Sequence, residues 1–138
     1  MARVMLALGA NHVLVVHSED GMDEVSLAAP THVCELKNGA LSEYTLTPEQ
    51  FGLMRAPIDS LRVNNPEESK IMMLSALNDE ANAARDIVLL NSGVALYTAG
   101  VTDSIGHGIE LARQTISSGA ARAKVEDFVQ YTQRFKKI

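Results

Sequence analysis

Val13-Leu14-Val15-Val16-His17-Ser18-Glu19-Asp20-Gly21-Met22-Asp23-Glu24 runs from an apolar, β-branched stretch into a turn with four acidic residues in six positions. Residues 12–17 are almost continuously apolar, a pattern that suits a strand covered on both faces in a parallel sheet better than a half-exposed one. Open α/β sheets place their ligand sites at the carboxyl ends of such strands. Carboxylate oxygens are the donors that a hard cation such as Mg²⁺ prefers. An acidic turn with a glycine is also a common form of solvated loop, so from these residues alone both readings stand.

Working outward, residues 2–8 predict a short amphipathic or buried helix stopped by Gly9. Downstream, Thr31–Leu36 and Leu41–Leu46 flank Lys37-Asn38-Gly39-Ala40, and an Asn-Gly pair between two such runs is a strong hairpin signal. Thr47-Pro48-Glu49-Gln50 has the cap, the first-turn proline and the glutamine of a capping box, so a short helix starts there. Asn65-Pro66-Glu67-Glu68 repeats this grammar and predicts a helix over 66–77. The stretch 55–64 between them reads as an irregular connector.

Three more helices are expected at 81–98, 103–117 and 121–135. The first is apolar around most of its circumference and so must be buried on nearly all sides. The second carries Ile105, Ile109, Ala112 and Ile116 at helical spacing, and Ser118-Gly119 stops it. The third puts Val125, Phe128, Val129 and Thr132 on one stripe. The fold class is therefore α/β, a partial mixed or parallel sheet with a hairpin and several C-terminal helices. The sheet is too small for what surrounds it: only three strands are evident, one wanting neighbours on both edges. Either a strand is hidden, with Ser60–Val63 as the candidate, or the chain is part of a larger domain.

Composition narrows the function. A chain of 138 residues, 46% hydrophobic and 21% charged, suits one folded domain. The net charge of −5 and the lack of a dense basic cluster argue against nucleic acid as a partner. Arg134, Lys136 and Lys137 read as a solvated helix end. Cys34 is the single cysteine, which excludes a disulfide framework and fits a reducing compartment. The apolar core of the first ten residues is too short for a signal peptide, and 87–101 is too short to cross a membrane. A cytoplasmic protein is the expectation.

The order of motifs resembles the anthranilate phosphoribosyltransferase family. Val15-Val16-His17-Ser18-Glu19-Asp20-Gly21-Met22-Asp23-Glu24-Val25-Ser26 is similar to its pattern of an apolar strand, His, Gly or Ser, then Gly-Leu-Asp-Glu-hydrophobic-Ser. Thr47-Pro48-Glu49-Gln50-Phe51-Gly52-Leu53, then Asp86 through Tyr97, then Gly108 through Ala121, resemble the family's C-terminal region in the same order. Met22 replaces the usual Leu, a volume-conserving change, and Leu77–Ala81 lacks the glycines often found there. The family's Gly-Thr-Gly-Gly-Asp diphosphate loop, its Lys-His-Gly-Asn segment and its anthranilate-contacting arginine lie upstream and have no counterpart in residues 1–138.

The resemblance implies that 1–138 is the C-terminal portion of the catalytic domain shared by nucleoside phosphorylases and phosphoribosyltransferases, without the N-terminal helical domain and the phosphate loop. It implies a glycosyltransferase of tryptophan biosynthesis that moves phosphoribosyl from 5-phosphoribosyl diphosphate (PRPP) to anthranilate. Asp23 and Glu24 match the family's metal-binding pair, with Mg²⁺ as cofactor. They are the only functional residues the resemblance carries over; it assigns no catalytic acid, base or nucleophile. The isolated chain is expected to be inactive, with PRPP and anthranilate bound only together with the missing part.

Two alternatives belong beside this one: a non-catalytic fragment that self-associates as a homo-oligomer to cover open edges, and a piece of a related pyrimidine nucleoside phosphorylase. Of the other polar residues, Glu19 and Asp20 are expected to be solvated, and His17 to be a hydrogen-bonded strand-end histidine. His12, His32 and His107 have no zinc-like spacing. Cys34 and the methionines are expected in the core, and Asn91 is expected to bond a neighbouring backbone group.

Overall fold

The computed structural model describes residues 1–135. Helix α1 spans Ala2–Ala7 and ends at Gly9, whose φ of +82° is the left-handed conformation that closes a helix cheaply only with glycine. Only Ala2 of this helix is buried; Val4 and Leu8 face outward.

Strands β1 (His12–Ser18), β2 (Thr31–Lys37) and β3 (Ala40–Leu46) form one sheet in the order β1-β2-β3. Asn38 and Gly39 both have positive φ, +51° and +80°, as a two-residue hairpin turn demands, and they set the register Lys37↔Ala40. Both described ladders are antiparallel, so the parallel pairing expected of β1 is not found among the described residues. The reason is connectivity. The connection 19–30 carries no crossover helix and returns the chain antiparallel alongside β1, and β3 folds back on β2 through a tight turn, so no described strand runs parallel beside β1. β1 is the edge of the sheet and is half-buried along most of its length.

Thr47 caps a 3₁₀ turn over Pro48–Phe51 with both halves of the capping box formed. A second 3₁₀ turn, Ile58–Leu61, takes the place of the candidate strand at 60–63. Pro57 fixes the chain ahead of it, and the Ser60 hydroxyl donates back to the Pro57 carbonyl at 2.6 Å, which closes the turn.

Four helices follow: α2 (Pro66–Leu77), α3 (Ala83–Thr98), α4 (Ile105–Ser117) and α5 (Ala120–Gln133). Side chains cap three of them. Asn65 accepts from the Glu68 N–H at 2.9 Å, Asn82 from Arg85 N–H at 2.9 Å, and Ser104 from His107 N–H at 3.2 Å.

The core lies between the inner face of the sheet and α3 and α4. Val33 and Leu46 meet Leu89 and Leu90, both fully buried, together with Ile87, Ile105, Ile109, Ala112 and Ile116. The centre of this packing is a crossing of two glycines. A Cβ on Gly108 would stand 2.4 Å from the Gly93 carbonyl oxygen and 2.9 Å from its Cα. The two backbones touch, and no side chain fits between them.

Burial is less complete than the periodicity predicts. Val88 and Ala95 of α3 are exposed. No residue of α5 is buried, and Phe128 and Val129 on its apolar stripe face solvent. The methionines are not all core filler either: Met1, Met54 and Met73 are exposed. Cys34 is half-buried, on the sheet face away from α3. Arg134 is exposed, and Lys136 and Lys137 of the expected basic helix end lie outside the described residues. No helix among the described residues is long and apolar enough to cross a membrane.

Candidate functional site

The acidic turn leaves β1 at Ser18 and returns to β2 at Thr31. Asp20 organises its first half. One carboxylate oxygen accepts from the Ser18 hydroxyl at 2.7 Å and from the Met22 N–H at 3.1 Å; the other accepts from the Ser26 hydroxyl at 2.6 Å. These donors, Ser18 first, hold its carboxyl below the ordinary 3.8. Asp20 is therefore a structural hub rather than the solvated residue expected. Glu19 is exposed as expected and meets His32 at 3.1 Å. His17 is exposed, and its ring makes no hydrogen bond among the described residues, so the expected strand-end bond is not formed.

Asn91 organises the second half, reaching across from α3. Its Oδ1 accepts from the Val25 N–H at 3.0 Å, and its Nδ2 donates to the Val25 carbonyl at 2.9 Å and to Ile87 at 3.1 Å in its own helix. Val25 itself is buried. The expectation that Asn91 binds backbone holds, but its chief partner is 66 residues away, directly after the acid pair.

Asp23 and Glu24 stand between these two fixed points, and both are exposed. They share the rim of an open groove of about 480 Å³ with Leu14, Val16, Asn91 and Val94. Glu24 also borders a second groove with Met22, Leu61 and Met72. Partial burial, then the charge of Asp23, pushes its carboxyl above the ordinary 4.5. Adjacent carboxylates repel each other, and a cation between them would relieve that.

The donor set is hard oxygen, with two carboxylates and an open side. That fits Mg²⁺, which takes one or two protein carboxylates and completes its shell with water and substrate phosphate. No cluster of three or more His, Cys, Asp or Glu residues that could enclose a metal exists among the described residues. Two carboxylates could supply only part of such a shell.

A second polar cluster gathers residues far apart in the sequence. Glu35 is 7% exposed and accepts from the Tyr97 hydroxyl at 2.6 Å and the Tyr44 hydroxyl at 3.0 Å, with His12 Nε2 at 2.8 Å. Lys37 adds a bond to the Tyr97 hydroxyl at 3.0 Å. Burial raises the Glu35 carboxyl, but the bonds from Tyr97, His12 and Tyr44 outweigh it and leave it below the ordinary 4.5. Burial and the bond to Glu35 push the Tyr44 hydroxyl up. This cluster ties the C-terminal end of α3 to the sheet and borders neither groove. An acidic residue at the centre of an otherwise alternating strand was the one signal that pointed to it.

Residues 1–122 match the model described as "Glycosyl transferase family, a/b domain". The anthranilate phosphoribosyltransferase of Burkholderia ambifaria is 54% identical over 135 residues, covering 98% of this chain and 39% of that protein. That of Burkholderia multivorans is 55% identical over the same shares. The crystal structure of the Thermus thermophilus enzyme superposes with a TM-score of 0.84 at 37% identity, over 96% of this chain and 39% of that one. The Saccharomyces cerevisiae enzyme in complex with PRPP and Mg gives 0.75 at 26% identity, over 86% and 34%. The match falls on the C-terminal part of these relatives, and the chain spans about two fifths of their length.

Proposed function

Because the chain belongs to the glycosyl transferase family, a/b domain, we propose that it supplies the C-terminal part of an anthranilate phosphoribosyltransferase catalytic domain. Its contribution to the chemistry is the Asp23–Glu24 carboxylate pair. The observation that carries this reading is the placement of that pair. It is exposed at the end of β1, on the rim of a groove, in a chain 54% identical to enzymes of that name.

In the proposed reaction the amino nitrogen of anthranilate attacks C1 of PRPP. The C1–N bond forms, the C1–O bond to diphosphate breaks, and a proton leaves the nitrogen. The product is N-(5-phosphoribosyl)anthranilate, a tryptophan precursor made in the cytoplasm. The energetic demand is on the leaving group, a strongly charged anion that must be neutralised and held in line. Mg²⁺, when bound, supplies Lewis-acid stabilisation of the diphosphate oxygens. Asp23 and Glu24 would hold that ion on the protein side. Neither acts as nucleophile or general base.

Two carboxylates do not bind diphosphate, so the upstream part of the family fold must complete the site. The open edge of β1 and the exposed apolar side chains Val4, Leu8 and Phe128 support a domain completed by further chain. The same surfaces favour a second reading, self-association of the chain as a homo-oligomer. Light scattering on the purified chain separates the two, since a monodisperse monomer excludes it.

Mixing the purified chain with the upstream part of a Burkholderia relative tests the function. Conversion of PRPP and anthranilate is expected from the mixture and not from either part. It should be lost when Asp23→Asn and Glu24→Gln are introduced. Turnover by the chain alone, or full activity of the double variant in the mixture, would overturn the reading.

A further inference from the structure

We propose that Asn91 and Asp20 are the positioning residues of the carboxylate pair, one on each side of it. This rests on the Mg²⁺ reading given above. The backbone is pinned at Met22, whose N–H donates to Asp20 at 3.1 Å, and again at Val25, whose N–H and carbonyl both bond Asn91, at 3.0 and 2.9 Å. Only Asp23 and Glu24 lie between. A two-residue span fixed at both ends cannot swing as a unit, so the two carboxylates are presented together despite their repulsion.

The anchors are themselves held. Asp20 is gripped by the hydroxyls of Ser18 and Ser26, at 2.7 and 2.6 Å, and both serines are buried. The Asn91 amide is oriented by its third bond, to Ile87 at 3.1 Å. Its helix cannot slide, because Gly93 is in backbone contact with Gly108. Residues 91 and 93 are about 200° apart around an α-helix, so the side of α3 that locks onto α4 is opposite the side that holds the turn. Fixing the carboxylates before an ion arrives removes the cost of ordering them on binding.

A merely structural role for Asn91 predicts lower stability and nothing else. A positioning role predicts a specific loss of ion binding. Asn91→Asp separates the two. It can still accept from Val25 N–H, it loses both donations, and it adds a negative charge close to the site, which by simple attraction would tighten cation binding.

The test is Mn²⁺ titration of the purified chain, followed by paramagnetic broadening of backbone amides. In the wild type, broadening is expected to centre on residues 22–25. Asn91→Asp and Asn91→Ala are expected to bind Mn²⁺ about ten-fold or more weakly, the scale of loss when an outer-shell partner is removed. Asp20→Ala, which leaves Asn91 in place, repeats the test from the other end should the Asn91 variants not fold. Unchanged or tighter binding in the folded variants overturns the proposal and leaves the metal reading intact. No broadening at 22–25 in the wild type overturns the metal reading and the proposal with it.

Discussion

The two sides of helix α3 hold their partners by opposite means. Through Gly93 it meets α4 with no side chain in between, a dry contact of backbone on backbone. Through Asn91 it meets the acidic turn by a side-chain amide that clips the backbone of Val25, next to the exposed acid pair. The first contact is specified by what is absent, a Cβ, and tolerates no addition. The second is specified by one amide and leaves the neighbouring side chains free to bind something. One helix thus fixes the frame and presents the site, so damage to the two sides should have different signatures.

The largest effect is expected at the glycine crossing. Gly108→Ala places a methyl against backbone that cannot move aside, and a loss of about 3 kcal/mol or more is expected in urea denaturation. A loss below about 1 kcal/mol would mean that α4 can slide, and the contrast would weaken. Next is Asn91→Leu, which strips the partners from the Val25 N–H and carbonyl; about 2 kcal/mol is expected, with the α3–α4 core intact by near-UV circular dichroism.

The Glu35 cluster should respond to acid. Its folded pKa lies below the ordinary 4.5, so its stabilisation is complete above 4.5 and is lost as pH falls through the lower folded value. The melting temperature of the wild type should therefore fall more steeply below pH 4.5 than that of Glu35→Gln, and the two curves should converge in acid. Parallel curves would remove Glu35 from the account. The smallest effect on stability is expected at the pair itself: Asp23→Asn should change it by less than about 0.5 kcal/mol, because the residue is exposed and its charge raises the Glu24 pKa. The same variant should lose Mn²⁺ binding. A large stability loss there would show that the acids belong to the frame.

These contrasts also explain what could be read in the sequence. Signals confined to a few residues were legible: Asn38-Gly39 sets the hairpin, Asn65-Pro66 starts α2, and Thr47 with Gln50 starts the 3₁₀ turn at Pro48–Phe51. Each depends on neighbours in the chain. The glycine crossing did not show, because nothing local to Gly93 or Gly108 links the two until the helices are brought together. Glu35 and Tyr97, 62 residues apart, gave no local hint of one another. β1 was read as a strand for a parallel sheet from its apolar run; the described strands give it one antiparallel partner and an open edge. The α5 stripe was read correctly as helical, yet it is uncovered. As for the site, an acidic turn was visible and the family resemblance picked Asp23 and Glu24 from it, but the roles of Asp20 and Asn91 required the fold.

The amide clip at Val25 also bears on the order in which the molecule assembles. The Ser26–Thr31 bond inside the same loop spans 5 residues, and the Val25–Asn91 bond spans 66. Closing the longer loop costs about 2 kcal/mol more in chain entropy, so the hairpin can form from local contacts while the acidic turn must wait for α3 to dock. Folding and unfolding should therefore be asymmetric across the domain. The Val25 end of the turn should take shape only once α3 has docked, and the Val25 amide should exchange with solvent before those of β2.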